Sequence, residues 1–286
     1  VAQNETRPST SFAPVAVGLH HRAVPRRSLW LVTIATVVVP AAPVAAVRPF
    51  LTDDARTVGG GNAQLETWAV VDEHGAEHWV TSSVGPLGPL ELAGGFVWGG
   101  TNEAPDLSFV GPLLTGKLLL RPTQSDAPPG LALAFGALGP HQGISPIERA
   151  WSAFGYLALS QSFYGDDLLL HANLGLTLDG ANGAVVGIGG VGVQGRVWGP
   201  VALVGEVFYG DALDATNTRW TVQAGTRLLL SDAVQLDATG AVELGDGSPG
   251  WFATAGVRLV AERLYAEPRM AGEETGHEEL VRFEGW

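Results

Sequence analysis

The stretch "LLLHANLGLTLDG", residues 168–180, decides the fold. Leu170, Ala172, Leu174, Leu176 and Leu178 share one parity, while His171, Asn173, Gly175 and Thr177 share the other. A period of two places those sets on opposite faces of an extended strand. Strands in soluble proteins usually run about 5–6 residues, whereas a tilted strand crossing a bilayer needs about 9–11. One face is almost wholly leucine and the other carries imidazole, amide and hydroxyl groups. That is the wall of a barrel with lipid on one side and a polar interior on the other.

The pattern recurs along the chain. In "TRWTVQAGTRLLL", Trp220, Val222, Ala224 and Leu228 oppose Thr221, Gln223, Gly225 and Arg227. In "VQLDATGAVEL", Leu236, Ala238, Val242 and Leu244 oppose Gln235, Asp237, Thr239 and Glu243. "WFATAGVRLV" sets Ala253, Ala255, Val257 and Leu259 against Phe252, Thr254 and Arg258. The spacing predicts strands near 62–72, 77–85, 90–99, 109–122, 130–139, 151–164, 168–179, 184–197, 201–210, 218–230, 234–244 and 250–262. Tight turns ("YGDD", "WGP", "SDA") follow strands six, eight and ten. Longer polar loops follow strands three, five and nine. The fold class expected is all-β, a transmembrane up-and-down antiparallel β-barrel of about 12 strands. A soluble twelve-stranded sandwich or barrel with core tryptophans is the alternative. Trp79, Trp98, Trp151, Tyr209, Trp220 and Trp251 would form an aromatic girdle at the long-loop rim. Phe163, Tyr164 and Trp198 would form one at the other rim.

Composition narrows the function classes. The 286 residues have a net charge of −13, no cysteine and one lysine, Lys117. The charge argues against a nucleic-acid partner, and the missing cysteines exclude a disulfide framework and thiolate metal sites. Arg22, Arg26 and Arg27 precede "SLWLVTIATVVVP" and "AAPVAA", the layout of a secretory signal cut after about Ala46. Removing residues 1–46 takes away four arginines and one glutamate, leaving 28 acids against 12 bases, a balance of −16. The organisation expected is an extension and signal over 1–46 and a periplasmic N-terminal segment over 47–61. The barrel follows over 62–265, then an acidic, disordered tail over 266–286. Tyr265 is one candidate for the closing residue of the barrel; a tail folded back to Trp286 is the other.

Three motif matches carry no chemistry. Gly187, Gly189 and Gly192 spell G-x-G-x-x-G, but strand pattern continues where a dinucleotide site needs a helix N-terminus. Gly111, Gly116 and Lys117 approach a phosphate-binding loop, but Leu118 replaces the magnesium-binding hydroxyl. His74, Glu77 and His78 match H-x-x-E-H, yet Asp72, Glu73 and Gly75 mark a turn there, not the helix that zinc chemistry requires. His171 reads as a hydrogen-bonded interior imidazole. No catalytic residue, cofactor or metal ligand is expected.

If the apolar faces meet lipid, parity places Glu66, Lys117, Arg121, His171, Arg196, Glu206, Arg227, Asp237, Glu243 and Arg258 along the lumen, with Gln64, Asn173, Gln194, Gln223 and Gln235. They are read either as an ion-pair network filling a narrow barrel or as the lining of a solute path. One bulge would invert a strand's assignment.

"RPFLTDDARTVGGGNAQLET" enters the first strand. Through Arg48, Pro49, Thr52, Asp53, Asp54, Ala55, Val58, Gly61, Gln64 and Glu66 it resembles the start of a family of outer-membrane barrels named for the meta-pathway of phenol degradation. The resemblance covers about twenty residues and implies an outer-membrane location and uptake of hydrophobic or aromatic compounds. It supplies no catalytic residues. The function expected is passive passage of small molecules across a bacterial outer membrane; a non-conducting structural or adhesive barrel is the alternative. The partners expected are the lipid bilayer and a small-molecule solute, and nothing names a protein partner. Arg48, Asp53 and Asp54 are expected to form an N-terminal latch. Asp53 or Asp54 would pair with an arginine at the periplasmic rim or cap a turn, latching the terminus or partly plugging the lumen, and Gly59–Gly61 would supply a bend into the wall.

Overall fold

In a computed structural model of the chain, residues 50–102, 108–139, 151–245 and 249–264 are described. The signal region, Arg48, Tyr265 and the acidic tail lie outside them. Twelve strands follow in order: β1 (Ala63–Asp72), β2 (Gly75–Leu87), β3 (Leu90–Thr101), β4 (Ser108–Arg121), β5 (Gly130–Leu138) and β6 (Ser152–Phe163). Then come β7 (Leu168–Asp179), β8 (Val185–Trp198), β9 (Val201–Tyr209), β10 (Trp220–Ser231), β11 (Val234–Leu244) and β12 (Gly250–Ala261). Each pairs antiparallel with its neighbours in sequence, and β1 pairs with β12, so the sheet closes with no free edge. Closure satisfies every strand's backbone from within the sheet, as a hydrocarbon surrounding demands.

Burial alternates as the sequence pattern requires, inside out relative to a soluble protein. On β7, Leu170, Leu174 and Leu176 are exposed on the outer face, while Asn173 and Thr177 are buried within. Leu157, Val191, Leu203 and Val242 continue the apolar exterior around the barrel. The soluble-sandwich alternative is excluded by this exterior and by the single closed sheet. The three declined motifs lie where strand chemistry put them: the glycines in β8, Lys117 in β4, and His74 in the β1–β2 turn with His78 already in β2.

At the long-loop rim Trp151, Trp220 and Trp251 are half-exposed, and Tyr209 packs on Trp220 at 5.3 Å. Tyr164 and Trp198 are exposed at the short-turn rim. Trp79 departs from its expected place. It shares the parity of buried Thr81 and Ser83, so its ring enters the lumen and stacks on Trp68, its register partner in β1, at 5.6 Å. The seam forms at the short-turn rim, where Leu264 N–H donates to Gly61 O (2.9 Å) and Arg263 N–H to Asn62 Oδ1 (3.0 Å).

Candidate functional site: a lumen occupied by the N-terminal segment

Before β1 the chain turns into the lumen. Gly59 and Gly61 have φ of 81° and 75°, a conformation glycine adopts without steric cost. The reversal is pinned to the end of β2 by Gly61 N–H to Gly85 O (2.9 Å) and Gly85 N–H to Asn62 O (3.0 Å). From this bend residues 58 back to 50 run up the barrel interior. Ala55 and Val58 are fully buried, and Thr52, Asp54 and Thr57 nearly so.

A segment with no sheet partner must satisfy its backbone otherwise, and lumen side chains do so. Glu206 of β9 accepts from Leu51 N–H (2.9 Å) and Thr52 N–H (2.7 Å). Asn173 of β7 accepts from Asp53 N–H and donates through Nδ2 to Asp53 O (3.0 Å). Ser160 of β6 accepts from Ala55 N–H (2.8 Å), and Glu91 of β3 from Val58 N–H (2.7 Å). Lys117 of β4 donates to Asp54 O (3.0 Å) and Arg56 O (3.3 Å), and meets the Asp53 carboxylate at 2.8 Å. Tyr156 O–H donates to the same carboxylate (2.9 Å). At the short-turn rim Arg56 bonds Asp166 of the β6–β7 turn (2.7 Å).

The latch takes its expected form at Asp54, which accepts from Arg56 N–H (3.1 Å) and so caps a turn, and a different one at Asp53. Asp53 pairs with the chain's only lysine, within the lumen, not with a rim arginine. Asp54 lies 4.0 Å from both Arg56 and His171. Burial opposes ionisation of Asp54, but His171, Arg56, the Ser160 hydroxyl and Lys117 outweigh it and hold its carboxyl below the usual range. The glycine bend leads into the lumen and not only into the wall.

The ten lumen candidates separate by place. Lys117, Glu206, Arg227, Asp237 and Arg258 are buried inside, and Glu66 and His171 are largely so. Arg121 and Arg196 are exposed at the short-turn rim, where the register shifts between Leu119 and Arg121 and between Arg196 and Trp198. Arg121 donates to Pro129 O (2.6 Å), and Arg196 meets Asp167 (3.2 Å). Glu243 stands at the opposite mouth with Arg219 (3.5 Å) and Asn217 (3.0 Å). Beside the segment, Gln64, Arg258, Gln235, Asp237 and Arg227 form a hydrogen-bonded belt across β1, β12, β11 and β10, closed by Arg227 on Gln194 of β8, and the Arg227 guanidinium lies over the Phe50 ring at 5.7 Å. Its ion pair, Arg227 Nε to Asp237 Oδ1, spans 2.7 Å. Glu91, Tyr156 and Ser160 belong to the site and were not singled out from the sequence.

Little space remains beside the segment. A cavity of about 70 Å³ lies against β1–β6, lined by Glu66, Thr81, Ser83, Glu91 and Lys117. Another of about 30 Å³ lies by Phe50 and His171. Such volumes hold a few waters, not an organic solute. Above Phe50 the long-loop mouth widens to a cavity of about 430 Å³ bordered by Trp68, Trp79 and Leu213.

No family model matches the chain, and no curated protein sequence does. Among solved structures it is similar to the COG4313 outer membrane channel from Pseudomonas putida F1. The two are 12% identical, the match covers 78% of this chain and 97% of that one, and the TM-score is 0.51. It also matches the KdgM porin at 9% identity, over 68% of this chain and 98% of that one, with a TM-score of 0.49. Outer membrane phospholipase A from Escherichia coli matches at 11% identity, over 69% and 95%, with a TM-score of 0.41. At these identities the first likeness speaks for the fold alone, that of an outer-membrane barrel, and the other two carry no further argument.

A hydrolytic site is not what the geometry builds. Ser160, His171 and Asp54 lie together, but Ser160 Oγ (2.8 Å) and Asp54 Oδ1 (4.0 Å) approach the same ring nitrogen, Nδ1. A relay divides them between the two nitrogens. Ser160 also accepts from the segment's backbone. Among the described residues no group of three or more His, Asp or Glu is placed to hold a metal ion.

Proposed function

We propose that the chain is a bacterial outer-membrane channel closed by its own N-terminal segment. Small molecules would pass when residues 50–58 leave the lumen. One observation carries this reading: Lys117, Glu206, Glu91, Asn173 and Ser160 direct their polar groups at a segment that pairs with no strand and joins the wall at the Gly59–Gly61 bend. A barrel filled for rigidity alone would pair those side chains with one another, as the Arg227–Asp237 belt does. The resemblance of the opening stretch to the phenol meta-pathway family supports hydrophobic or aromatic solutes as cargo. Export through a cleaved signal near Ala46 completes the proposal.

The second reading, a non-conducting barrel, draws on the cavity of about 70 Å³ that remains beside the segment. Liposome swelling with small neutral solutes separates the two. The channel reading expects slow swelling with the full chain and fast swelling with a variant lacking residues 50–58. No swelling with either, from protein that still shows heat-modifiable migration, contradicts it.

A further inference from the structure

Asp53 is held as a ligand would be. Its side-chain carboxylate receives Lys117 Nζ at 2.8 Å and Tyr156 O–H at 2.9 Å. Its backbone N–H and C=O are read together by the Asn173 amide. These three side chains project from β4, β6 and β7, and each is more than nine-tenths buried. A cationic donor, a phenol donor and an amide that accepts from the N–H before Cα and donates to the C=O after it match one chemical unit, a β-carboxylate on a carbon flanked by two amides. Lys117 alone reaches further along the segment, to the carbonyls of Asp54 and Arg56.

We propose that Lys117, Tyr156 and Asn173 form a binding site for small acidic amides, N-acyl aspartyl amides being the simplest, and that Asp53 occupies it in cis. This rests on the channel reading, to which it adds a solute class. The adjoining cavity of about 70 Å³ is too small to admit such a solute beside Asp53, so the solute binds by exchange. The competition is unequal. A tethered group acts at an effective concentration of the order of millimolar, so the free solute succeeds only in excess or when the segment's hold is weakened. Exchange at Lys117 frees the Asp53 side chain, and the loss of its backbone bonds to Asn173 releases the segment's middle. Solute binding would thereby open the path the solute takes.

The single lysine gives a direct readout. Full-length protein labelled with ¹⁵Nζ-lysine shows one side-chain ammonium resonance, that of Lys117. The acid N-acetylaspartate α-methylamide is titrated as the probe, with its neutral side-chain amide, N-acetylasparagine α-methylamide, as the control. The expected result is a saturable shift with the acid in Asp53→Asn, at least about tenfold weaker in the wild type, and none with the amide. Tyr156→Phe combined with Asp53→Asn weakens it again. No shift in folded Asp53→Asn, or equal shifts with acid and amide, overturns the site. Because binding is read at the ammonium and not by flux, a protein that binds the acid without passing solute would contradict the channel and leave the site standing.

Discussion

Lys117 and Asp53 meet at 2.8 Å inside the barrel, one on a wall strand and the other on a segment that has no strand partner. The same ammonium also holds the carbonyls of Asp54 and Arg56, so one side chain fixes consecutive turns of the segment's path. Substituting it tests the whole plug. Lys117→Met leaves the Asp53 carboxylate and two carbonyls without their donor, which is expected to weaken the segment's hold by about 3 kcal/mol. Single-channel recordings of the variant should show longer open periods than the wild type, while heat-modifiable migration persists.

Asp54 should give up its share of closure only in acid. The folded-state pKa of Asp54 is depressed, so its contribution is full above the unfolded value of about 3.9 and is lost as pH falls through the folded value. The difference in conductance between the wild type and Asp54→Asn is therefore expected to be constant from pH 7 to about 5 and to shrink only below about 4.

The glycine bend offers a steric test. A Cβ on Gly85 would stand 1.8 Å from the carbonyl oxygen of Gly59, a collision with backbone that no rotamer relieves. Gly85→Ala is expected to displace the bend and weaken closure by roughly 2 kcal/mol. Gly195→Ala, whose Cβ meets nothing within 4 Å, should leave conductance unchanged.

The belt of β10–β12 is bonded within the wall and meets the segment where the Arg227 guanidinium lies over the Phe50 ring. Asp237→Ala leaves buried Arg227 without its carboxylate, at an expected cost of about 3–5 kcal/mol in barrel stability. Its signature is a lower temperature of heat modification with little change in gating. Arg121→Gln and Arg196→Gln, at the exposed rim, should alter neither.

The barrel was legible because a period of two persisted through most strands, and lipid outside with polar groups inside makes that period strong. Parity erred only where strands end. Arg121 and Arg196 have inward parity, but both stand at the short-turn ends of their strands and are exposed there, Arg121 past a register shift. Trp79 was assigned from its position near a strand end, when its parity with Thr81 and Ser83 already pointed it inward. Glu91 escaped because β3 follows it with "LAGGFVWGG", where glycine and alanine erase the alternation. Tyr156 and Ser160 escaped because β6 carries Phe154, Tyr156 and Ala158 on its inner face, so apolar content does not separate its sides. For residues 50–58 a latch or partial plug could be expected, but not the path or the partners. An extended segment without sheet partners has no periodicity, and its contacts come from β3, β4, β6, β7 and β9 at once.

The most direct measurement of closure by the segment uses the absence of cysteine from the chain. A Cβ placed on Gly192 lies 3.4 Å from Thr52 Cβ, close to the roughly 3.5–4.5 Å spacing of a disulfide. Thr52→Cys with Gly192→Cys, in the Lys117→Met background, should then tie the segment to β8. The account predicts a floor-level conductance in planar bilayers while the disulfide is intact, rising reversibly on reduction. Equal conductance in the oxidised and reduced states, with the bond shown to form, would contradict it.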